Sequence, residues 1–214
     1  MKETTTKEKI LKGVRDALLN KTENPFQDVN FSQQVYQSLK DEKEVEFARK
    51  LIEMGGAFVY CANEQELIEN LNKLTNEKNW PSYYVVDDHL KALLQSGGIE
   101  YDDREDHFSE MQVGVTRCDF LIARFGSVMV SSGLGSGRRM FVFPEVHVVV
   151  AYASQVVKEL KEALNGMRKK YSEGLPSQMT VITGPSRTAD IEKTLVMGAH
   201  GPRELYVFYV DDQD

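Results

Sequence analysis

From Gly56 onward, the sequence alternates between short apolar runs and longer segments with helical periodicity. Ala57–Cys61 and Tyr83–Val86 are apolar runs typical of buried strands. Each is followed by a segment with a 3.6-residue apolar period, Glu64–Leu74 and Asp88–Leu94, which predicts a helix. Strands separated by helices of this length favour a parallel sheet with right-handed crossovers. We therefore expect an α/β fold with a mainly parallel sheet and flanking helices.

The second half of the chain adds more strands to this pattern. Asp119–Arg124 and Val128–Ser131 are two apolar runs on either side of a Phe-Gly-Ser turn, so we expect a β-hairpin. Helical periodicity over Ser154–Lys170 predicts a helix that ends in basic residues. Further apolar runs predict strands at Val146–Ala151, Val181–Thr183 and Leu205–Val210.

The N-terminal part of the chain has helical character. Thr6–Leu19 has one apolar face, and Phe31–Met54 continues as a helix after a linker at Lys21–Asn30. We therefore divide the chain into an N-terminal helical arm, residues 1–55, and an α/β domain, residues 56–214. We expect the arm to pack on the domain or on a second subunit, which would make the protein a homo-oligomer.

The charge balance limits the partners of the chain. Its 33 acidic and 26 basic residues give a net charge of -7. This disfavours general binding to nucleic acid or to anionic membranes, because both need a basic surface, but it allows a local basic pocket for an anionic metabolite. The first ten residues are too polar for a signal peptide, and no apolar run approaches the ~20 residues of a membrane span. We therefore expect a cytoplasmic protein.

The cysteine content limits metal and redox chemistry. Cys61 and Cys118 are too few for a disulfide framework, a cysteine-built zinc site or an iron–sulfur cluster. Both lie in apolar surroundings typical of buried, reduced thiols. The acidic stretch Asp102–Glu110 lacks the spacing of a known calcium loop, so a solvated loop is the better interpretation. We therefore predict no metal site, and no cofactor bound by this chain itself.

A glycine-rich loop, SSGLGSGRR over residues 131–139, follows the predicted hairpin. Glycines let the backbone approach a ligand, consecutive N–H groups can cradle an anion, and arginine adds bidentate contacts to phosphate or carboxylate. The loop matches neither the P-loop nor the GxGxxG fingerprint, so a mobile hairpin loop remains the alternative. The candidate ligand-binding residues here are Ser131, Gly133, Gly135, Gly137 and Arg138.

A second candidate site follows the strand predicted at Val181–Thr183, at the turn signal Gly184-Pro185. The next residues resemble the capped start of a helix, and arginine at a helix N-terminus opposes the helix dipole. The position of Arg187 is therefore easier to explain if it meets an anion, although a surface arginine at a capped helix remains the alternative. The candidate ligand-binding residues are Gly184, Pro185, Ser186, Arg187, Thr188 and Asp190.

The two candidate sites could form two walls of one pocket. Loops at the carboxyl ends of strands are the usual ligand sites of open α/β sheets. We therefore expect Arg187 to face Arg138 or Arg139 across an anion.

Two histidines are candidates for proton transfer. His147 stands at the start of a predicted strand, and His200 lies in a glycine-rich turn. Either could act as a general acid or base, or bind an anionic ligand, while a hydrogen bond within a turn is an equally good interpretation. His89 and His107 lie in polar loops and receive no role.

Several ordered motifs resemble one protein family. Ile182–Glu192 and Leu195–Pro202 are similar to the signature of the LUD domain, the lactate-utilization domain. Upstream, Gly126–Ser132, Gly135–Arg138 and Pro144–His147 resemble the same family in the same order. The similarity is dense from about Val113 to the C-terminus and weaker before it.

The resemblance implies a fold similar to the group of ribose-5-phosphate isomerase, glucosamine-6-phosphate deaminase and CoA transferases. It also implies a role in the oxidation of L-lactate to pyruvate, with two cysteine-rich iron–sulfur proteins as partners. The alternatives are a stand-alone enzyme or binding protein for a sugar phosphate, nucleotide or CoA ester, and a non-catalytic regulatory subunit.

One departure from the family pattern concerns Arg124. Where the resemblance leads us to expect Ala-Glu-Thr-Gly, this chain has Ala123-Arg124-Phe125-Gly126, so an acid is replaced by arginine. Glu145 similarly follows Pro144 where a second proline is common. If the missing carboxylate is a catalytic base in the family, this chain either binds a more anionic ligand or is non-catalytic.

Overall fold

The computed structural model describes residues 5–19, 36–189 and 195–212. The chain separates into two compact units, Met1–Ser38 and Leu39–Asp214. In the first unit, helix α1 (Thr6–Leu19) has the predicted bounds, and all its side chains are exposed. The predicted linker Lys21–Asn30 and the first residues of the helix predicted at Phe31–Met54 lie outside the described residues.

Helix α2 (Lys43–Glu53) belongs to the second unit and is shorter than predicted. Residues 36–42 are not helical, so the prediction of one continuous helix was wrong for them. This segment contains serine and aspartate, whose side chains compete with helical hydrogen bonding. The buried side chains of Phe47 and Leu51 join α2 to the core of the larger unit, which therefore begins before residue 56.

The end of α2 follows from two glycines. The N–H of Gly56 donates to the carbonyl of Leu51 at 3.0 Å, and the N–H of Gly55 donates to that of Ile52 at 2.9 Å. Gly55 adopts a positive φ of 85°, which completes a Schellman motif. The carbonyl of Met54, the C-cap residue of this helix, accepts a hydrogen bond from Arg187.

The central sheet has six strands, and all of its strand pairs are parallel. This confirms the prediction of a mainly parallel α/β sheet, with β1 at its predicted bounds. In spatial order the strands are β1 (Ala57–Cys61), β12 (Glu204–Val210), β7 (Val146–Tyr152), β4 (Val113–Arg117), β2 (Tyr83–Tyr84) and β3 (Tyr101–Asp102).

Two apolar layers cover the central sheet, because alternate residues of each strand point to opposite faces. Helices α3 (Glu64–Lys78) and α4 (Asp88–Ser96) pack on the face that carries Val148 and Val150. The opposite face, with Val149 and Ala151, packs against α2 and a second sheet. Both crossover helices start where predicted and extend further than predicted. Within the described residues, no helix has the length and apolar character that a membrane crossing requires.

The second sheet contains four strands in the order β8 (Val156–Val157), β5 (Phe120–Ile122), β6 (Ser127–Ser131) and β9 (Met179–Ile182). Antiparallel pairing of β5 with β6 confirms the predicted hairpin. Helix α5 (Leu160–Lys170) begins six residues later than predicted, because the β-branched pair Val156-Val157 joins the sheet edge beside β5 instead.

The helix predicted after Gly184-Pro185 was wrong. β10 (Arg187–Ala189) pairs antiparallel with β11 (Leu195–Met197). The N–H of Ser186 donates to the carbonyl of Pro202 at 2.8 Å, and the N–H of Gly198 donates to that of Ser186 at 3.0 Å. Pairing between these separate parts of the chain holds β10 in an extended conformation. Local periodicity in the sequence does not reveal such pairing. Asp190, the candidate at the predicted first helical turn, lies outside the described residues.

Candidate functional site

The glycine-rich loop follows β6 of the second sheet and passes close to Asp87, which lies just beyond the carboxyl end of β2 in the central sheet. It leaves the end of β6 at Ser131, whose hydroxyl accepts the N–H of Gly133 at 3.2 Å. A Cβ on Gly135 would lie 3.2 Å from Oδ2 of Asp87, so this glycine allows the backbone to approach that carboxylate closely. Arg138 donates to the hydroxyl of Ser177 at 2.7 Å.

A partly buried polar network contacts this loop. The hydroxyl of Tyr171 donates to Oδ1 of Asp119 at 2.9 Å and accepts from Ser131 at 3.3 Å. Lys170 donates to the same Asp119 oxygen at 2.7 Å. Burial raises the pKa of the Tyr171 hydroxyl, so it remains protonated and able to donate. The structure thus places Ser131 where it anchors the loop.

Asp87 and Arg117 form an ion pair that the sequence reasoning did not include. Oδ2 of Asp87 accepts from Nε and Nη2 of Arg117 at 3.0 and 2.7 Å. Oδ1 accepts the N–H groups of His89 and Leu90 at 3.1 and 3.3 Å, so Asp87 also caps α4. The Asp87 side chain is 2% exposed and that of Arg117 is 37% exposed.

This ion pair lies at the topological switch point of the sheet. β2 and β4 are spatial neighbours, but the chain continues from β2 outward to β3 and from β4 inward to β7 and β12. In open α/β sheets, the crevice at the carboxyl ends of two such strands is the usual ligand site. Asp87 follows β2 and Arg117 ends β4, so a signal was present in the sequence. Finding it required the order of the strands.

The structure gives Arg187 a different neighbour from the expected anion. Its Nη2 donates to the carbonyl of Met54 at 2.5 Å, at the C-terminal end of α2. A cation is favoured at that end of a helix. A Cβ on Gly55 would lie 2.2 Å from the same Nη2, and one on Gly184 would lie 2.4 Å from the Met54 carbonyl oxygen. These glycines let the two segments approach closely.

Arg187 and Arg138 stand at opposite ends of one strand. Arg138 binds Ser177, just before β9, whereas Arg187 follows the end of β9. Four strand residues alone span about 13 Å at ~3.3 Å each. The structure therefore does not bring these arginines face to face.

His147 lies inside the protein near the start of β7. Its Nε2 shares a hydrogen bond of 2.8 Å with the hydroxyl of Thr116, on the neighbouring strand β4. Nδ1 has no hydrogen-bond partner among the described residues. Complete burial lowers the pKa of the imidazole from 6.5 to about 4, because charge is unfavourable away from water. His147 is therefore neutral at pH 7.

His200 lines an open cleft of about 280 Å³ at the amino ends of the central strands. Arg203 and Glu145 face each other there, with Nη1 and Oε1 3.5 Å apart. The cleft lies where β7 and β12 begin, about 20 Å from their carboxyl ends at ~3.3 Å per residue. Its walls combine apolar and polar residues: Val142, Phe143, Pro144, Glu145, Gly198, Ala199, His200, Gly201 and Arg203.

The candidate residues therefore fall into separate regions. The glycine-rich loop belongs to the carboxyl edge of the sheet, and His200 belongs to the cleft at the opposite edge. The segment of residues 184–187 joins β9 to β10, which includes Thr188. It contacts the end of α2, and Ser186 hydrogen-bonds Gly198 beside the cleft. In the part of the chain that the structure describes, no group of three His, Cys, Asp or Glu side chains could hold a metal ion.

Arg124, which replaces an expected acid, is engaged in an ion pair. Its Nη2 donates to Oε1 of Glu159 at 2.8 Å, and its backbone N–H donates to the carbonyl of Lys158 at 3.1 Å. The arginine therefore connects the turn of the β5–β6 hairpin to the segment before α5.

Comparison with known proteins decides the family. The family model of the LUD domain matches residues 45–210. The chain belongs to the LUD domain family. The match includes all but the first two residues of α2 as well as both sheets, and it confirms the resemblance seen in the sequence motifs.

Several curated LUD relatives are named lactate utilization protein C. Lactate utilization protein C 1 of Bacillus mycoides is 30% identical over 167 residues, which cover 70% of this chain and 71% of that protein. The proteins from Geobacillus sp. and Shouchella clausii are 34% and 37% identical over 110 and 102 residues, or 50% and 47% of this chain. These two matches span 46% and 44% of the relatives, about half their length.

A solved structure supports the fold. The DUF162 family protein from Deinococcus radiodurans superimposes with a TM-score of 0.60 at 20% sequence identity. The match covers 81% of this chain and 99% of that one. The similarity to the ribose-5-phosphate isomerase, glucosamine-6-phosphate deaminase and CoA-transferase group stays a prediction.

Proposed function

We propose that this LUD domain protein is a component of an L-lactate utilization system, in which it binds a small anionic molecule. The observation that carries the proposal is the similarity to lactate utilization protein C, which extends over 71% of one relative. In this system two cysteine-rich iron–sulfur proteins would accept the two electrons that leave lactate when pyruvate forms.

The cysteines of the chain support this division of labour. Cys61 and Cys118 are both buried, and burial raises the pKa of each thiol. A buried, protonated thiol is a poor metal ligand and a poor nucleophile. Electron transfer would therefore depend on clusters held by the partner proteins, and this chain would supply binding and proton transfer in the cytoplasm.

His200 is the better candidate for proton transfer. It is exposed and lines the same cleft as Arg203, whose guanidinium group could hold a carboxylate. His147 is buried and neutral, so its proton exchange with a ligand would require the site to open. The cleft volume of about 280 Å³ lies near the lower end of ligand pockets, roughly 300–1,000 Å³. That size suits a small organic acid.

Affinity purification of the tagged full-length protein from lactate-grown cells tests the assignment to lactate utilization. We expect two cysteine-rich proteins to co-purify and to give the broad visible absorbance of iron–sulfur clusters. Purification from glucose-grown cells is the matched control. If no cluster-containing protein is recovered from lactate-grown cells, the proposal is contradicted.

A stand-alone enzyme or binding protein for a sugar phosphate, nucleotide or CoA ester is the second candidate. The glycine-rich loop favours it, because this loop stands at the carboxyl edge of a parallel sheet, where α/β proteins bind such ligands. Thermal-shift screening of the purified chain separates the candidates. Stabilisation by one of these phosphates, without co-purifying partners, would favour the stand-alone protein.

The paired state of Arg124 bears on a third candidate, a non-catalytic regulatory subunit. Glu159 supplies the carboxylate next to Arg124, so the replacement of the expected acid leaves a compensated charge at the hairpin turn. Full growth on lactate with a His200→Ala/Arg203→Ala double variant, which removes the histidine and arginine side chains of the cleft, would favour the regulatory subunit over the two binding candidates.

A further inference from the structure

We propose that Arg117, held by Asp87, forms an oxyanion site together with the glycine-rich loop at residues 135–137. The site would take a terminal phosphate or carboxylate group at the carboxyl edge of the sheet, between β2 and β4. This site is distinct from the cleft around His200, and it rests on the proposed function for its physiological role. Binding itself is measurable on the purified chain.

The position of Arg117 in the sheet favours a ligand site. It ends β4 at the point where the chain continues in opposite directions from two neighbouring parallel strands. Loops diverge at such a point and leave a crevice that backbone and side chains from both strands can line. The cleft around His200 lies at the opposite edge, so the two sites are separate.

Asp87 fixes the orientation of the Arg117 guanidinium group. Asp87 contacts only the Nε–Nη2 edge of the guanidinium, which directs the Nη1 group away from the carboxylate. The N–H groups of His89 and Leu90 also donate to Asp87, at the positive end of the α4 dipole. The single carboxylate is thus shared between the helix and the arginine. Arg117 is fixed in place while retaining attraction for a second anion.

The glycine-rich loop lies close to the Asp87–Arg117 ion pair. Gly135 lies so close to Asp87 that its Cα position could not carry a larger side chain without displacing the carboxylate or the loop. The next residue, Ser136, is 5% exposed, and its hydroxyl has no hydrogen-bond partner among the described residues. A buried hydroxyl without a protein partner is uncommon, and a bound water, an ion or a ligand group would satisfy it. Ser136 directly follows Gly135, the residue that approaches Asp87, so its hydroxyl belongs to the part of the loop nearest the ion pair.

Isothermal titration calorimetry on the full chain tests the site, with inorganic phosphate and sodium L-lactate as probes. We expect at least one probe to bind, and Arg117→Gln to weaken that binding about 10- to 100-fold, as for loss of a hydrogen bond to a charged group. Arg168→Gln is the matched control, because Arg168 is exposed on α5 and bonds Asn165. Binding of phosphate alone assigns a phosphorylated ligand, and binding of lactate alone assigns a carboxylate.

Ser136→Ala keeps the ion pair intact and therefore tests the site even if Arg117→Gln folds poorly. We expect it to bind the probe several-fold more weakly, with an unchanged circular dichroism spectrum. A purely structural hydroxyl would leave binding unchanged. The proposal is overturned if neither probe binds the wild type below about 10 mM, or if Ser136→Ala and a folded Arg117→Gln bind as tightly as the wild type.

The outcome is distinguishable from failure of the proposed function. Weakened binding in the variants without co-purifying iron–sulfur proteins supports the site and contradicts the lactate role. Co-purification of iron–sulfur proteins with unchanged binding in the variants supports the lactate role and contradicts the site.

Discussion

The buried imidazole of His147 makes the stability of the protein depend on pH. In the unfolded chain this histidine titrates near pH 6.5, and in the folded protein burial lowers its pKa to about 4. At 1.36 kcal/mol per pKa unit, the difference corresponds to about 3 kcal/mol at its full extent. Between these two pH values the unfolded state binds a proton that the folded state does not, so the free energy of unfolding falls as the pH is lowered.

The expected change between pH 7 and pH 5 is about 2 kcal/mol, because most of the titration of the unfolded state lies in that range. Urea unfolding at pH 7, 6 and 5 measures it directly. His147→Gln removes the group, so its stability should fall by about 2 kcal/mol less than that of the wild type over the same range. Carboxylates with lowered pKa, such as Glu204, titrate in both proteins and cancel in this comparison.

His200→Gln is the matched control, because it makes the same substitution at an exposed histidine. The reasoning is refuted if the wild type and His147→Gln lose the same stability between pH 7 and pH 5. That result would mean that His147 is solvated or charged in the folded protein.

Three other predictions concern packing. Arg187→Ala should lower the free energy of unfolding by about 1 kcal/mol through loss of the bond to Met54, measured by urea unfolding. Gly55→Ala should cost about 1–3 kcal/mol, because of its positive φ and the nearby Arg187, whereas Gly13→Ala in open space on α1 should stabilise its helix, as circular dichroism would show. Cys118, 1% exposed, should react with a thiol reagent only in denaturant; rapid labelling of the native protein would contradict its burial.

Much of the central α/β fold was predictable from local pattern. The β-strand Ala57–Cys61 and the helix start at Glu64 follow from an apolar run and a capped periodic segment, whose interactions are close in sequence. The β5–β6 hairpin likewise depends on neighbouring residues.

Long-range pairing decided the elements that the sequence analysis predicted incorrectly. Leu195–Met197 has a pattern compatible with a helix, but it pairs with Arg187–Ala189 and forms a hairpin. Val156-Val157 joins β5, across more than 30 residues of chain, instead of starting the helix. Such pairings are set by which strands become neighbours, and single-segment periodicity carries no information about that.

The candidate site also combines features that local sequence predicts with features that depend on the order of the strands. The glycine-rich loop was found from its composition, since glycine and arginine have distinct local chemistry. The Asp87–Arg117 pair joins residues 30 positions apart and became visible only with the order of the sheet. Arg187 was assigned to an anion because a helix was expected after it, and its observed partner is the carbonyl of Met54.

Growth on L-lactate tests most directly the central claim that this LUD protein serves lactate utilization by binding an anion. The gene is deleted and replaced by the wild type, Arg117→Gln or Arg168→Gln, with protein levels matched by immunoblot. We predict no growth of the deletion strain on lactate, normal growth with the wild type and Arg168→Gln, and strongly slowed growth with Arg117→Gln. Normal growth of the deletion strain on lactate as the only carbon source would contradict the claim.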